Sequence, residues 1–206
     1  MRAVEVISAE HRTLTAVIHA MLFVLRRIRF GISERNFDLL GVMVSYIETF
    51  PERFHHPKED AYLFPRLRER DRLIVPLLDR LHTEHVAGSG KLQNMRRLLC
   101  TYQRNPGSRE FGAFHEAVSD YAAFHYAHVR AEEGQVLPAA TEYLKAADWD
   151  EIDSAFAGHS DPLFGAGADA EYGELFRRIV DLAPAPLGVG REQGPVRAAA
   201  ELRTAD

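Results

Sequence analysis

Two short segments place histidines and carboxylates directly beside apolar residues. The first, "FHHPKEDAYLFPRL" at residues 54–67, contains His55 and Glu59 four positions apart, and the second, "HYAHVRAEEGQVLPAA", contains His128 and Glu132 at the same spacing. Residues four apart lie on one face of an α-helix, so each pair can direct an imidazole and a carboxylate at one point. This combination of ligands suits iron, manganese or zinc. Each segment therefore predicts one half of a metal site.

The two segments belong to an internal repeat. "AEH" ends at His11 and "TEH" ends at His85, and the separation of 44 residues from His11 to His55 nearly equals the 43 from His85 to His128. In both halves a proline follows the glutamate by six positions. Two such halves packed with approximate two-fold symmetry would surround one point with two carboxylates and at least four imidazoles. This arrangement predicts a dinuclear site in which each glutamate can bridge the metals.

The elements that must position these side chains are helices. Apolar residues recur every three or four positions along residues 1–147, and no alternating strand pattern competes. Turn and capping residues mark the helix boundaries: Gly31, Ser33 or Asn36, Asp71, and "NPGS" at 105–108. Four long amphipathic helices with short connections predict an all-α, antiparallel up-down four-helix bundle. Pro57, between His55 and Glu59, predicts a kink in the second helix.

Histidines interrupt the apolar stripes of these helices. They occupy core-facing positions in three of the four: His11, His85, and the pair His125 and His128. A buried ionisable group costs several kcal/mol unless it is paired or bound to a metal. Because several such residues converge on one interior, the stripes support the same metal site as the repeat.

Residues 148–206 differ in sequence pattern and composition from the predicted bundle of residues 1–147. "DWDEIDSAF" is typical of a short helix capped by Asp148, with Glu151 three positions on. "AEYGELFRRIVDLA" predicts a further helix, and the Pro-, Gly- and Ala-rich chain after Pro184 predicts a mobile tail. We expect a helical extension here and no second catalytic domain.

Composition narrows the partners and the compartment. The net charge of -5 argues against nucleic acid and against an anionic membrane surface. The apolar stretch "AVIHAMLFVL" is too short to span a bilayer and lacks a cleavage site, so neither a transmembrane helix nor a signal peptide is expected. A single cysteine, Cys100, excludes an internal disulfide and fits a reducing cytoplasm.

Four motifs in order, "EHRTL", "FHHPKEDAYLFPRL", "EHVAGSGKL" and "HVRAEEGQVLP", resemble the hemerythrin-like, HHE cation-binding domains over roughly residues 5–145. The resemblance implies a four-helix bundle that holds a non-haem di-iron centre and meets O2, NO or peroxide. The two iron ions would share an oxo or hydroxo bridge, with zinc or manganese as alternative metals. Carried over by position, the ligands are His11, His55 with bridging Glu59, His85, and His128 with bridging Glu132.

The sequence departs from the oxygen-carrying hemerythrins at two points. Those proteins have two histidines four apart on the third helix, whereas His82 and His85 are three apart here, so His82 is the candidate for a fifth histidine ligand. Their fourth-helix carboxylate follows its histidine by five residues, which would select Glu133, whereas the internal repeat favours Glu132. His125 is open to two roles, as a ligand or as a hydrogen-bonding or gating residue.

Three further residues beside the ligands receive outer roles. His56 neighbours His55 on a different helical face, which favours contact with solvent or with a ligand over metal binding. Glu10 and Glu84 directly precede His11 and His85, and adjacent helical residues point in different directions. We therefore expect both glutamates at the rim of the site or behind a ligand.

Three functions are compatible with such a site. The first is binding of O2 or NO for sensing, storage or transfer, because a site with only two carboxylates leaves iron more Lewis acidic than the four-carboxylate centres of ferritin-like proteins. The second is a redox enzyme that reduces NO or peroxide or repairs iron centres, served by an electron-transfer protein. The third is a structural or storage metal site. A regulatory protein partner and a homodimer contact through "DPLFG" also remain open.

Overall fold

The computed structural model describes residues 1–157, 177–183 and 187–188, and within them the protein is all-helical with no strand. The prediction of an all-α fold is confirmed. The α-helices are α1 (Arg2–Arg29), α2 (Phe37–Phe50), α3 (His56–Lys58), α4 (Phe64–Arg70), α5 (Val75–Arg104), α6 (Ser108–Ala131), α7 (Leu137–Tyr143) and α8 (Ala146–Ala157). Three π-helical segments continue these helices: Pro51–His55, Glu59–Leu63 and Glu132–Val136.

Most helix ends lie where the capping residues place them. Gly31 adopts φ +66°, a left-handed conformation that suits glycine after the end of α1. Asn36 caps α2, because its side chain accepts a hydrogen bond of 2.9 Å from the Leu39 N–H. Asp71 differs from its prediction: it follows α4, and its carboxylate accepts the Leu73 N–H within the turn before α5. The long helix begins later, at Val75, because Pro76 fits the first helical turn without losing a hydrogen bond.

The helices α1 and α5 pack against the same two neighbouring helices. α1 contacts α2 and α6, and α5 contacts the same two helices. Their buried apolar side chains form two separate clusters. On α1, Ile7 belongs to one cluster and Leu14 to the other, and on α5 the same is true of Leu81 and Leu92. The buried His11 and His85 lie between these positions, so a polar layer divides the core.

The π-helical segments occur where the predicted metal-binding glutamates lie. Glu59 and Glu132 each begin one segment, and the third ends at His55. Single π-turns inside α-helices are rare and often mark functional sites. A kink was expected at Pro57. The chain instead remains helical there, and the π-helical segments before and after the proline accommodate the backbone hydrogen bond that its missing N–H cannot make.

The predicted short helix of the extension is α8, which packs against α1. Ile152 and Phe156 are buried in the apolar cluster that contains Ile7. Asp153 accepts the Ala3 N–H at 2.7 Å and thereby satisfies a free donor at the start of α1. Residues 177–182 are helical and begin within the second predicted helix. The loop containing His159 and "DPLFG", and the tail from residue 189 onward, lie outside the described residues. The division into domains at residue 147 stays a prediction.

A two-pronged ion pair joins α8 to α4. The Asp148 oxygens accept two hydrogen bonds of 2.8 Å from Arg70, and Oδ2 also accepts the Lys145 N–H at 2.9 Å. The hydrogen bonds from Arg70 lower the pKa of Asp148 from 3.8 to about 2. A second pair, between Arg66 and Glu151, lies on the surface beside it.

We expect D148N to be less stable than the wild type above pH 4, with a difference in stability that shrinks as the pH falls toward 2. A carboxylate whose pKa is lowered by folding stabilises the protein above its unfolded pKa, and this stabilisation disappears as the pH falls through the folded value. Allowing for the partial exposure of Arg70, the expected difference at neutral pH is about 1–2 kcal/mol. Thermal unfolding of chelator-treated protein from pH 7 to pH 2.5 measures it. E151Q is the matched control and should change stability by less, and a D148N deficit independent of pH would contradict the assignment.

Candidate metal centre

Four buried imidazoles from different helical segments meet in the polar layer. His11 lies on α1, His55 at the end of the first π-helical segment, His85 on α5 and His128 on α6, and each is at most 5% exposed. They form two facing pairs: Nε2 of His11 lies 2.9 Å from Nε2 of His55, and Nε2 of His85 lies 3.2 Å from Nε2 of His128. Each half of the sequence repeat thus supplies one imidazole pair of the centre.

Glu59 and Glu132 lie between the two imidazole pairs. Glu132 Oε2 is 3.2 Å from Nε2 of His11, and its Oε1 is 3.0 Å from Nε2 of His128. Glu59 Oε2 is 3.4 Å from Nε2 of His55 and 3.6 Å from Nε2 of His85. Each carboxylate therefore reaches one imidazole of each pair, which is the position that a bridging ligand requires.

The buried oxygens of these carboxylates fit a metal cation. All four oxygens of Glu59 and Glu132 are inaccessible to solvent, and none makes a hydrogen bond of acceptable geometry, although imidazole nitrogens lie nearby. Buried carboxylates are normally hydrogen-bonded, because leaving them without partners is costly. One ligand atom from each of four residues, His11, His55, Glu59 and Glu132, lies within 4.8 Å of the others. Two carboxylates and several imidazoles suit iron, manganese or zinc.

A second layer of carboxylates orients the rings. The Nδ1 of His55 lies 2.8 Å from Glu10 Oε2, and the Nδ1 of His128 lies 2.9 Å from Glu84 Oε2. An N–H donated from Nδ1 leaves the lone pair of Nε2 directed at the centre, as metal-binding histidines require. The glutamate of each "EH" dipeptide thus orients a histidine of another helix, and this agrees with the outer role expected from the sequence.

The other two rings are held in the same way. The Nδ1 of His11 lies 3.1 Å from Glu133 Oε1, and the Nδ1 of His85 lies 3.1 Å from Asp60 Oδ1. Glu133 and Asp60 are each the residue directly after a central glutamate. The structure therefore places Glu132 in the centre and Glu133 behind His11, with 41% of the Glu133 side chain exposed.

His82 does not reach the centre. Its side chain is 57% exposed, and its Nδ1 lies 3.0 Å from Asp60 Oδ1 on the outer side of His85. The buried stripe of α5 runs through Leu81, His85 and Gly88, so the residue next to Leu81 points away from the interior. The structure thus does not bring His82 to the buried carboxylates, but Asp60, His82 and His85 form a group on the outer side of the centre that could hold a metal, and metal binding by His82 stays a prediction.

His56, which the sequence interpretation left outside the metal ligands, lies directly against His85. Its ring stacks on His85 with centroids 4.0 Å apart and planes inclined by 13°. Nitrogens of His56, His85 and His128 lie within 4.8 Å of one another and form a second group able to hold a metal. Helical periodicity placed His56 on another face than His55, but the π-turn ending at His55 alters that rotation. Pro51 and Pro57, on either side of these histidines, were the feature of the sequence that could have indicated a departure from regular α-helical rotation.

His125 lies beside the centre. It is 6% exposed, and its Nε2 lies 3.1 Å from the Thr15 hydroxyl oxygen. Burial is the main cause that lowers the pKa of His125 to about 3, so the ring is neutral at physiological pH. Of the two roles left open by the sequence, the structure places this ring in a hydrogen bond to a side chain.

The carboxylates around the centre stabilise the protonated form of two of the rings. Burial is the largest influence on His11 and His85 and acts to lower the pKa of each. The close approach of Glu132 and hydrogen bonds to the outer carboxylates Glu133 and Asp60 outweigh it and raise both pKa values to about 10. A metal cation that binds here takes over this role and displaces the ring protons.

The remaining central groups respond to burial and to one another. Burial, followed by the charge of Glu132, raises the pKa of Glu59. Glu132 is equally buried, but the close approach of three imidazoles lowers its pKa well below the usual range. Burial and the neighbouring rings lower the pKa of His55 and His56. Within the described residues, this is the place where buried ionisable groups are concentrated.

Glu10 and Glu84, the glutamates of the "EH" dipeptides, each contact a basic side chain. The ammonium of the buried Lys58 lies 3.2 Å from Glu10 Oε1 and 4.5 Å from the centroid of the Phe156 ring. Glu84 instead receives a hydrogen bond of 2.6 Å from the half-exposed Arg80. Through Lys58, helix α8 is therefore in contact with the layer of side chains that orients His55.

Comparison with known proteins supports this assignment. A family model described as hemerythrin, the hemerythrin HHE cation-binding domain, matches residues 2–140. No curated protein matches the chain. In the part of the chain that the structure describes, no helix is long and apolar enough to cross a membrane.

Proposed function

The chain belongs to the hemerythrin family of HHE cation-binding domains, and on that premise we propose that it is a cytoplasmic di-iron protein that binds O2 or NO for sensing, storage or transfer. The fold in this proposal is the family's antiparallel four-helix bundle, formed by α1, the helix from α2 to α4, α5, and the helix from α6 to α7. One observation carries the proposal. The oxygens of Glu59 and Glu132 are fully buried between two facing imidazole pairs and lack hydrogen bonds.

The ligands divide naturally between two metal positions. His11 and His55 would hold one ion, and His85 and His128 the other, with His56 beside the second position. Glu59 and Glu132 would contact both ions, since each reaches a ring of both pairs.

Charge balance favours iron that binds a gas reversibly. Two bound iron ions would supply Lewis-acidic, redox-active positions, compensated by only two central carboxylates. Ferritin-like centres place four carboxylates around their metals and thereby favour the oxidised state. A set of neutral imidazoles leaves more positive charge on the metals, which favours the reduced state that O2 and NO require.

A small cavity lies beside the rings. An internal cavity touches His11, His55 and His128, and its other walls come from the apolar Leu14, Phe50 and Val129 and the polar Glu10, His56 and His125. Its volume of about 10 Å³, measured for the centre of a water molecule, admits about one small molecule. The apolar residues beside the imidazoles suit an uncharged diatomic molecule such as O2 or NO.

The test is a gas titration. Iron-loaded protein is reduced without oxygen and titrated with O2 and, separately, with NO, while visible absorption is recorded. We expect a charge-transfer band that appears with the gas and disappears when the gas is removed. Zinc-loaded protein, which holds a metal without redox chemistry, is the control and should show no band.

Other outcomes would point to other functions. Irreversible oxidation with continued consumption of NO or peroxide would indicate a redox enzyme that relies on an electron-transfer partner. Full iron content with no response to either gas would contradict the proposal and leave a structural or storage site.

A further inference from the structure

One polar side chain that is not among the central ligands faces the internal cavity from α6. His125 lines the cavity together with His128, and the apolar Leu14 and Phe50 line it from other helices. His125 lies one turn before His128 on the same buried face. A small molecule in this cavity is therefore in reach of both a central imidazole and the imidazole of His125.

Thr15 hydrogen-bonds one ring nitrogen of His125, so the other ring nitrogen is the one that can contact a ligand. The ring is 94% buried, so it is neutral and has one N–H donor and one acceptor nitrogen. The Thr15 hydroxyl occupies Nε2 at 3.1 Å. When this hydroxyl donates to Nε2, the ring proton lies on Nδ1, and Nδ1–H is the remaining donor.

We propose that His125, held by Thr15, donates a hydrogen bond to the diatomic molecule bound in the cavity and thereby sets how long the ligand stays. Thr15 is a positioning residue, because it acts through the ring. This inference rests on the proposed function, since it requires a ligand in the cavity.

The surroundings of His125 make such a bond effective. Tyr121 stacks on the ring at 6.4 Å between centroids, and Tyr126 meets it edge-on at 6.0 Å. These contacts and the Thr15 hydrogen bond hold the ring in place, so little rotamer entropy is lost when a ligand binds. A hydrogen bond to a ligand that carries negative charge on its outer atom is stronger than one between neutral groups.

The experiment uses NO as the probe on reduced, iron-loaded full-length protein. We expect H125L to release NO about 10- to 100-fold faster than the wild type, because one hydrogen bond to a charged acceptor is lost. The N–O stretching frequency, measured by infrared spectroscopy in H2O and D2O, is the second readout. It should be lower in the wild type than in H125L, and only the wild type should shift in D2O.

Three further variants separate a hydrogen bond from a change of packing. H125Q keeps an amide donor and should restore slower release in part. T15V removes the hydroxyl with little change of volume and should raise the release rate by less than H125L. H115L, a histidine substitution at the far end of α6, should behave as the wild type in both readouts.

The outcomes distinguish the inference from the proposed function. If H125L and T15V keep their iron and match the wild type in release rate and stretching frequency, the role of His125 is wrong although gas binding stands. If the iron-loaded wild type binds neither NO nor O2, the proposed function fails and the inference fails with it.

Discussion

E132Q is expected to lose most of its bound metal, whereas E133Q is expected to retain it. Glu132 is 1% exposed and lies within 3.2 Å of imidazoles from both pairs, so removing its charge takes an anionic ligand from both metal positions. Glu133 instead contacts the outer nitrogen of His11. Outer-layer substitutions weaken metal binding by about 10- to 100-fold, which saturating iron overcomes.

Metal content after loading and gel filtration measures this difference. H55A/E59A, which removes the equivalent pair of the other half, should resemble E132Q. The two adjacent glutamate variants have the same change of charge, so charge alone cannot separate them. Equal losses in E132Q and E133Q, or retention in E132Q with loss in E133Q, would contradict the placement of Glu132 at the centre.

Removing the metal is expected to lower the melting temperature by roughly 10 °C. A ligand that binds only the folded state stabilises it, by about 4 kcal/mol at a thousand times the dissociation constant. For a protein of this size each kcal/mol shifts the melting temperature by about 2–4 °C. The metal-free centre also buries Glu59 and Glu132 without hydrogen bonds, which adds to the loss.

Differential scanning calorimetry of loaded and chelator-treated protein measures the shift. E132Q provides the internal control, because a variant that binds little metal should show a much smaller difference between the two preparations. If chelation left the melting temperature of the wild type unchanged despite full removal of iron, the centre would not contribute to folding as expected.

Much of this centre could be predicted from residue spacing. A four-residue interval on a helix places His55 with Glu59 and His128 with Glu132, and their distances in the structure follow from it. The repeat likewise predicts that two equivalent halves pair with one another. The all-helical fold followed from the apolar periodicity, which is a local property of each segment.

Other features required the packed helices. Spacing allowed His82 a share in the centre, but the buried stripe of α5 turns it toward solvent, and the π-turns bring His56 in instead. Glu10 binds Nδ1 of His55, which lies on another helix. A partner 45 residues away leaves no periodic trace in the sequence.

The sequence by itself determined the fold class, the central histidines and glutamates, and their two-fold relation, because these depend on regular helical geometry and a repeated motif. Only the tertiary structure decided which carboxylate stands behind each ring, that His56 lies against His85 while His82 is largely exposed, and that His125 faces a cavity beside the centre. These features depend on contacts between helices and on departures from α-helical rotation at the π-turns, and local spacing does not encode either of them.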